Sequence, residues 1–558
     1  MINSEAEKVS ELKIQNIKKI AGNIIDVVNK RVFSGEIEVK DGRIFKITEN
    51  DNIYHTYILP GFIDSHIHIE SSMLIPSEFA RTAVTNGMIG VIADPHEIAN
   101  VLGIDGVNFM IKNGSKVPFK FYFAVPSCVP ATPFETTGAN LSAKDVEALM
   151  AKPEVKCLGE MMNFPGVISD DEEVLSKINA SLKNGKPVDG HAPGLSGEDL
   201  KKYVDAGIST DHEAYTYEEG LEKIKLGMKI LIREGSAAKD FEALRDLIEE
   251  YPDSCMFSSD DRHPNDLVAG HIDLLVKRAI QLGYNKMKVL QCACVNPVKH
   301  YNLDIGLLQL GDKADFIEVD GLLSMNVLKT VINGKIVCKD GWSLIKKVKN
   351  DAINNFKAKY KTIKDYEVNY TGKKINVIKA GNGQLITKRL YLEPKVQNGK
   401  VVSDVERDIL KIAVINRYAD VKPTVAFING FGFKKGAIAS SVAHDSHNII
   451  AIGTNDKELN EAVNLVIKHK GGLSIVHNGV ENVLPLPVAG LMSNKGAFNV
   501  AERYIQIEKE TKKMHSALTD PFMTMSFMAL LVIPDLKLSD KGLFDAKNFK
   551  FITLDEEF

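Results

Sequence analysis

Short runs in which apolar and polar residues alternate occupy positions 12 to 58. In GEIEVKDGRIFKI two such runs flank Asp41-Gly42, a pair suited to the left-handed backbone of a tight hairpin, and a small sheet is predicted there. From Ile58 to about Asn302 the pattern changes. Apolar runs are now each followed by a longer helical or loop stretch: GFIDSHIHI, GMIGVIADPHE, FKFYFAVPS, VKCLGE, KPVDGHAP, GISTDHEA, KILIREGS and SCMFSSDD. Eight parallel strands in about 240 residues match the size and period of a TIM-type α/β barrel, in which the strands' C-terminal ends carry the chemistry.

The segment GDKADFIEVDGLLSMNVLKTVINGKIVCKDG follows, with hairpin signals at Asp320-Gly321 and Asn333-Gly334. The expected organisation is a composite β-sandwich from residues 1–58 and 303–345, a (β/α)8 barrel over 59–302, a linker over 346–384 and a C-terminal α+β domain over 385–558. The Lys-rich stretch from Lys346 to Lys374 reads as a connecting helix and linker. The Gly-rich stretches FINGFGFKKGAIASS and KHKGGLSIVHNG are turn signals that match no phosphate-binding fingerprint.

The composition excludes several functions. The 558 residues carry 69 Lys plus Arg against 73 Asp plus Glu, a net charge of −4, so no basic excess argues for nucleic acid. The most apolar late stretch, Phe522 to Pro534, is too short for a membrane span and reads as a buried helix or strand. The opening MINSEAEKVSELKIQ has no apolar leader core, so a cytoplasmic protein is expected. Six Cys are too few for a disulfide framework, and Cys292 and Cys294 in QCACVNP read as ordinary buried residues.

The chemistry lies at the strand ends. In His66-Ile67-His68 the period of two places both imidazoles on one face of a strand, where they can converge on one metal. Later strands end in Glu160, His191, His212 and Asp260, and the spacings of 31 and 21 residues from Glu160 through His191 to His212 fit successive strand and helix units. Imidazole and carboxylate donors without thiolate suit Zn, Mn or Fe(II), and Glu160 is the natural bridge between two ions. A metal pair makes hydroxide available near neutral pH, and Asp260 is the candidate to move its proton to a leaving nitrogen.

LPGFIDSHIHIESSM, GVIADPHEIANVLG, the residues Glu160, His191 and His212, SSDDRHP and the ADF-x-x-x-D segment at Ala314 to Asp320 together resemble the amidohydrolase superfamily, and within it the adenine deaminase family. The resemblance covers nearly the whole chain. It implies hydrolysis of adenine to hypoxanthine and ammonia at a binuclear Mn or Fe centre, held with its hydroxide by His66, His68, Glu160, His191, His212 and Asp260. It also implies that Asp261 hydrogen-bonds the purine ring. The expected partners are adenine and a second copy of the chain in a homodimer, with neither nucleic acid nor membrane.

Other residues carry weaker signals. Asp94, His96 and Glu97 end the second strand, where they either orient the metal ligands, bind an additional ion or cap a helix. Arg233, Glu234 and Ser236 end the seventh strand, as substrate contacts or as an ion pair. His444, Asp445 and His447 in ASSVAHDSHNII either close over the site, form a second one or sit in a polar loop. An amide hydrolase acting on an N-acetyl sugar or a cyclic amide is the alternative activity, and an inactive scaffold a third reading. Neither the His-x-Glu nor the Pro-Cys-x-x-Cys half of the pattern of the zinc deaminases that act on polynucleotides occurs in a usable arrangement.

Overall fold

The computed structural model of the chain describes residues 13–236 and 238–557. Two compact units are present. The first runs to Pro95 and takes in 108–127 and 142–350; the second comprises 96–107, 128–141 and the chain from Asp351 onward. Two segments expected within the barrel, 96–107 and 128–141, therefore belong with the C-terminal part.

All eight strands read from the sequence are present in the first unit: β1 (Phe62–Ile67), β2 (Met88–Ala93), β3 (Lys120–Val125), β4 (Val155–Met161), β5 (Val188–Gly190), β6 (Thr210–Asp211), β7 (Lys229–Arg233) and β8 (Cys255–Ser258). β1 to β5 form one curled parallel sheet in chain order, and β6 to β8 a second. Parallel bridges pair Val188 with Ile208 and Ile67 with Asp260. Every residue of β1 and β2 is buried, as expected of strands covered on both faces. Within β1 the alternation sends Asp64 and His66 to one face, with Ile63 and Ile67 on the other.

The two flanks build one continuous nine-stranded sheet rather than two separately bonded layers. It is joined where Phe316–Val319 pairs antiparallel with Tyr57–Pro60. Its strands share a core that includes Ile20, Ile37, Ile58, Phe316 and Val331. At the predicted hairpin, Asp41 (φ 52°) and Gly42 (φ 75°) adopt the left-handed backbone that joins Arg31–Lys40 to Arg43–Glu49. Asn333 and Gly334 do the same between Val327–Ile332 and Lys335–Lys339. Asp320-Gly321 is different: it opens a longer loop, in which the Asp320 carboxylate accepts from Ser324 Oγ and the Asn326 N–H.

In the second unit an eight-stranded sheet packs against the helix Asp456–His469. Asn455 caps the start of that helix through the Glu458 N–H, and Lys470 ends it with φ 54°. The expected connecting helix near Lys346 to Lys374 does not form; the stretch has no regular structure except one 3-10 turn at Ile363–Tyr366 and the two-residue strand Val368–Asn369. Its apolar residues lack a helical stripe, and Phe356 and Ala358 instead pack singly against the helix-and-sheet core. Phe522 to Pro534 begins in a buried short helix, Pro521–Ser526. No helix among the described residues is long and apolar enough to cross a membrane. All six cysteines are free and buried.

Candidate metal centre

The strand ends of the first unit bring six predicted residues together. His66 and His68 face each other through their Nε2 atoms at 3.2 Å. Glu160 lies between two pairs of imidazoles. Its Oε1 is 3.4 Å from His68 Nε2, while Oε2 is 3.9 Å from His66 Nε2, 2.8 Å from His191 Nδ1 and 3.0 Å from His212 Nε2. Asp260 Oδ1 sits 3.1 Å from His68 Nε2 and 3.7 Å from His66 Nε2. The donor sets His66, His68, Glu160 and Glu160, His191, His212 each lie within 4.8 Å, sharing the one carboxylate.

Backbone interactions fix these groups. Asp260 takes φ 55°, which Asp tolerates better than most residues. Its N–H donates to His66 O and its carbonyl accepts the His68 N–H, locking β1 to the end of β8. Asp64 braces the same junction by accepting the Ser259 N–H at 3.1 Å and its hydroxyl at 2.5 Å. The buried Asp211 carboxylate accepts the N–H groups of Ala192, Glu213 and Ala214 and pairs with Lys223 at 2.9 Å, which shapes the turn carrying His212.

The electrostatics suit a cation. Burial, reinforced by the neighbouring His212 and His68, holds His66 well below the ordinary histidine pKa. Burial also opposes charge on His191, but the Glu213 and Glu160 carboxylates outweigh it and raise His191 to about 9. Burial works against ionised Asp260, yet hydrogen bonding with His68 and the Arg233 charge carry its pKa well below the usual range. The His68 Nδ1 lies 2.9 Å from the Asp94 carbonyl, an acceptor only, so Nδ1 carries the proton and Nε2 presents its lone pair inward. A pocket of imidazole and carboxylate donors with one histidine held in that tautomer fits divalent metal.

The other predicted residues take different places, although Asp261 offers a ligand atom within 4.8 Å of those of His68 and Asp260. Asp94 supports the cluster: its Oδ2 accepts the Glu160 N–H at 3.0 Å. Asp261 accepts from Ser71 Oγ at 2.5 Å. Arg233 is surrounded by carboxylates, whereas Glu234 turns to Arg278 at 3.4 Å. The Ser236 hydroxyl accepts the His263 N–H. His96, Glu97, His444, Asp445 and His447 all belong to the second unit. There Glu97 Oε1 meets His444 Nδ1 at 2.5 Å, and Oε2 meets His447 Nε2. The Ala443 N–H points at His447 Nδ1, so in the neutral ring Nε2 carries the proton and donates to Glu97.

Sequence reasoning missed Glu213. Its Oε1 is 3.7 Å from His191 Nδ1 and 3.6 Å from His212 Nε2, and it is held by Arg233. Only its place beside His212 in GISTDHEA could have flagged it.

Comparison with known proteins agrees with this arrangement. Residues 57–337 match the amidohydrolase family, and residues 384–550 match the adenine deaminase C-terminal domain. A protein of Sulfurovum sp. (strain NBC37-1) named adenine deaminase is 53% identical over 535 residues, covering 96% of this chain and 99% of its own. Proteins of the same name from Methanosarcina mazei and Salinibacter ruber are each 50% identical over 96% of this chain, and 99% and 98% of their own lengths are covered. With both parts matched and relatives aligned along almost their whole length, the chain belongs to the adenine deaminase branch of the amidohydrolase family.

Proposed function

We propose that the chain hydrolyses adenine to hypoxanthine and ammonia at the cluster centred on Glu160. The observation that carries this reading is one carboxylate shared by two imidazole pairs, His66 with His68 and His191 with His212, in a chain about half identical to proteins named adenine deaminase. His66, His68, Glu160, His191, His212 and Asp260 would hold two divalent ions, with Mn(II) or Fe(II) favoured over Zn(II). When bound, the pair would supply a water of lowered pKa and polarise the attacked group.

The chain's own residues do the rest. The water oxygen first bonds to the ring carbon that carries the amino group, one water proton going to the adjacent ring nitrogen. Asp260 takes the other on the oxygen facing the histidines and delivers it to the amino nitrogen, and the carbon–nitrogen bond then breaks to release ammonia. Asp261, oriented by Ser71, hydrogen-bonds the purine ring. Asp94 steadies Glu160 and the tautomer of His68. The same reading takes the eight strands as one closed (β/α)8 barrel, a closure supported by the Val188–Ile208 and Ile67–Asp260 bridges. It also takes the enzyme as a cytoplasmic homodimer.

The test is ammonia release by the Mn- or Fe-loaded protein from adenine, compared with N-acetylglucosamine 6-phosphate and dihydropyrimidine rings. Turnover of adenine alone is expected. Turnover of an amide and none of adenine would replace this reading with the amide hydrolase one.

A further inference from the structure

Arg233 closes β7 in a buried position and meets three carboxylates from different parts of the chain. Its Nε donates to Asp240 at 3.0 Å, NH2 donates to Glu213 at 3.2 Å, and NH1 donates both to Glu213 and, at 2.8 Å, to Asp260 Oδ2. The Asp240 N–H returns to the Arg233 carbonyl at 2.9 Å, so the loop beyond β7 braces the guanidinium from behind.

The contact divides the two oxygens of Asp260. Oδ2 is taken by Arg233, and Oδ1 is turned to His66 and His68. A carboxylate free to rotate would turn either oxygen toward the histidines and hold neither in one fixed place for proton transfer. The same guanidinium restrains Glu213, whose Oε1 is within 3.7 Å of the nitrogens of His191 and His212 that face Glu160. Released, Glu213 would compete with Glu160 for that place.

We infer that Arg233 is a positioning residue, holding Asp260 with a single oxygen inward and Glu213 clear of the shared carboxylate, rather than a group that touches substrate. The inference rests on the adenine deaminase reading, since the step it serves is the proton transfer by Asp260. A planar fork is needed to reach three acids at once, which a lysine ammonium cannot reproduce.

The experiment compares Arg233→Ala, Arg233→Lys and Asp240→Asn with the parent enzyme, all Mn-loaded, measuring kcat, KM, bound metal and the response to added guanidinium chloride. A misplaced reacting group costs on the order of 100-fold, so Arg233→Ala is expected to lose about that factor in kcat with KM nearly unchanged and both metals retained. Guanidinium should restore part of this kcat, and should leave an Asp260→Asn control as inactive as before. Arg233→Lys should remain well below the parent, and Asp240→Asn, which loses only the rear brace, should fall by a few-fold. The inference is overturned if Arg233→Ala keeps parental kcat, if its loss tracks lost metal without guanidinium rescue, or if its KM rises while kcat holds. Should Arg233→Ala fail to fold, Arg233→Lys decides: full kcat refutes the need for the fork, and a reduced kcat with both metals bound supports it. A parent that does not turn over adenine would refute the underlying activity instead.

Discussion

The carboxylate of Asp94 accepts the backbone N–H of Glu160 at 3.0 Å, and so holds the shared carboxylate from behind its own strand. The approach is close because Gly159 lacks a side chain: a Cβ there would lie 2.1 Å from Asp94 Oδ2. Since the Asp94 carbonyl also sets the tautomer of His68, one residue steadies two donors. Asp94→Ala is expected to weaken metal binding by about 10- to 100-fold, the usual cost of removing such outer support. Gly159→Ala should do the same by displacing Asp94. Metal titration of the apoprotein checks both, and unchanged affinity in the two variants would disprove this role.

His66 and Asp260 should separate in their phenotypes. On the proposed reading His66, whose Nε2 lies 3.2 Å from that of His68, is a metal donor, so His66→Ala is expected to lose metal and turnover together. Asp260→Asn keeps a donor oxygen and the backbone lock to β1 but loses proton acceptance, so it should retain at least one ion and lose about 100-fold or more in kcat. Metal analysis beside steady-state rates tells the two apart, and an Asp260→Asn enzyme as fast as the parent would remove Asp260 from the proton path.

These residues were legible in the sequence for a physical reason. A strand of period two must present His66 and His68 on one face, and repeated strand and helix units must return Glu160, His191, His212 and Asp260 to the same ends. The hairpins at Asp41-Gly42 and Asn333-Gly334 were legible because left-handed backbone selects few residues. Glu213 and the roles of Asp94 were not, because nothing local distinguishes an acid that braces a donor from one that caps a turn. Nor could the meeting of Glu97 with His444 and His447 be read, because about 350 residues separate them and no periodicity spans that gap. The irregular path near Lys346 to Lys374 was misread for the opposite reason: charge density there resembles a solvated helix, while Phe356 and Ala358 pack individually.

Glu97, His444 and His447 form a buried pin within the second unit. The Ala443 N–H fixes His447 so that Nε2 donates to Glu97, and His447→Ala would strand a buried carboxylate. A loss of about 1–3 kcal/mol is expected from one unsatisfied buried acceptor. Thermal unfolding should show a lowered transition for His447→Ala and a smaller drop for His447→Gln, which can still donate. Parental stability in His447→Ala would show that the pin contributes nothing.

Lys537, in the second unit, provides a pH signature. Its ammonium is fully buried and donates to the carbonyls of Leu385 at 2.8 Å and Phe527 at 3.0 Å. Burial, only partly opposed by Asp535, pulls its pKa from 10.5 down to about 7. Below about pH 7 the side chain is charged in both folded and unfolded chains, and the folded state bears the whole cost of burying it. Between about pH 7 and the unfolded value near 10.5 the folded chain has released the proton and the unfolded chain has kept it. Unfolding then takes up a proton, and stability contributed at this site rises with pH. Lys537→Met removes the titration while filling a similar volume. The difference in Tm between parent and Lys537→Met should therefore shift in favour of the parent as pH rises from about 7 to about 9, with other titrating groups cancelling in the comparison. A difference that stays flat across that range would mean that Lys537 keeps its proton in the folded protein.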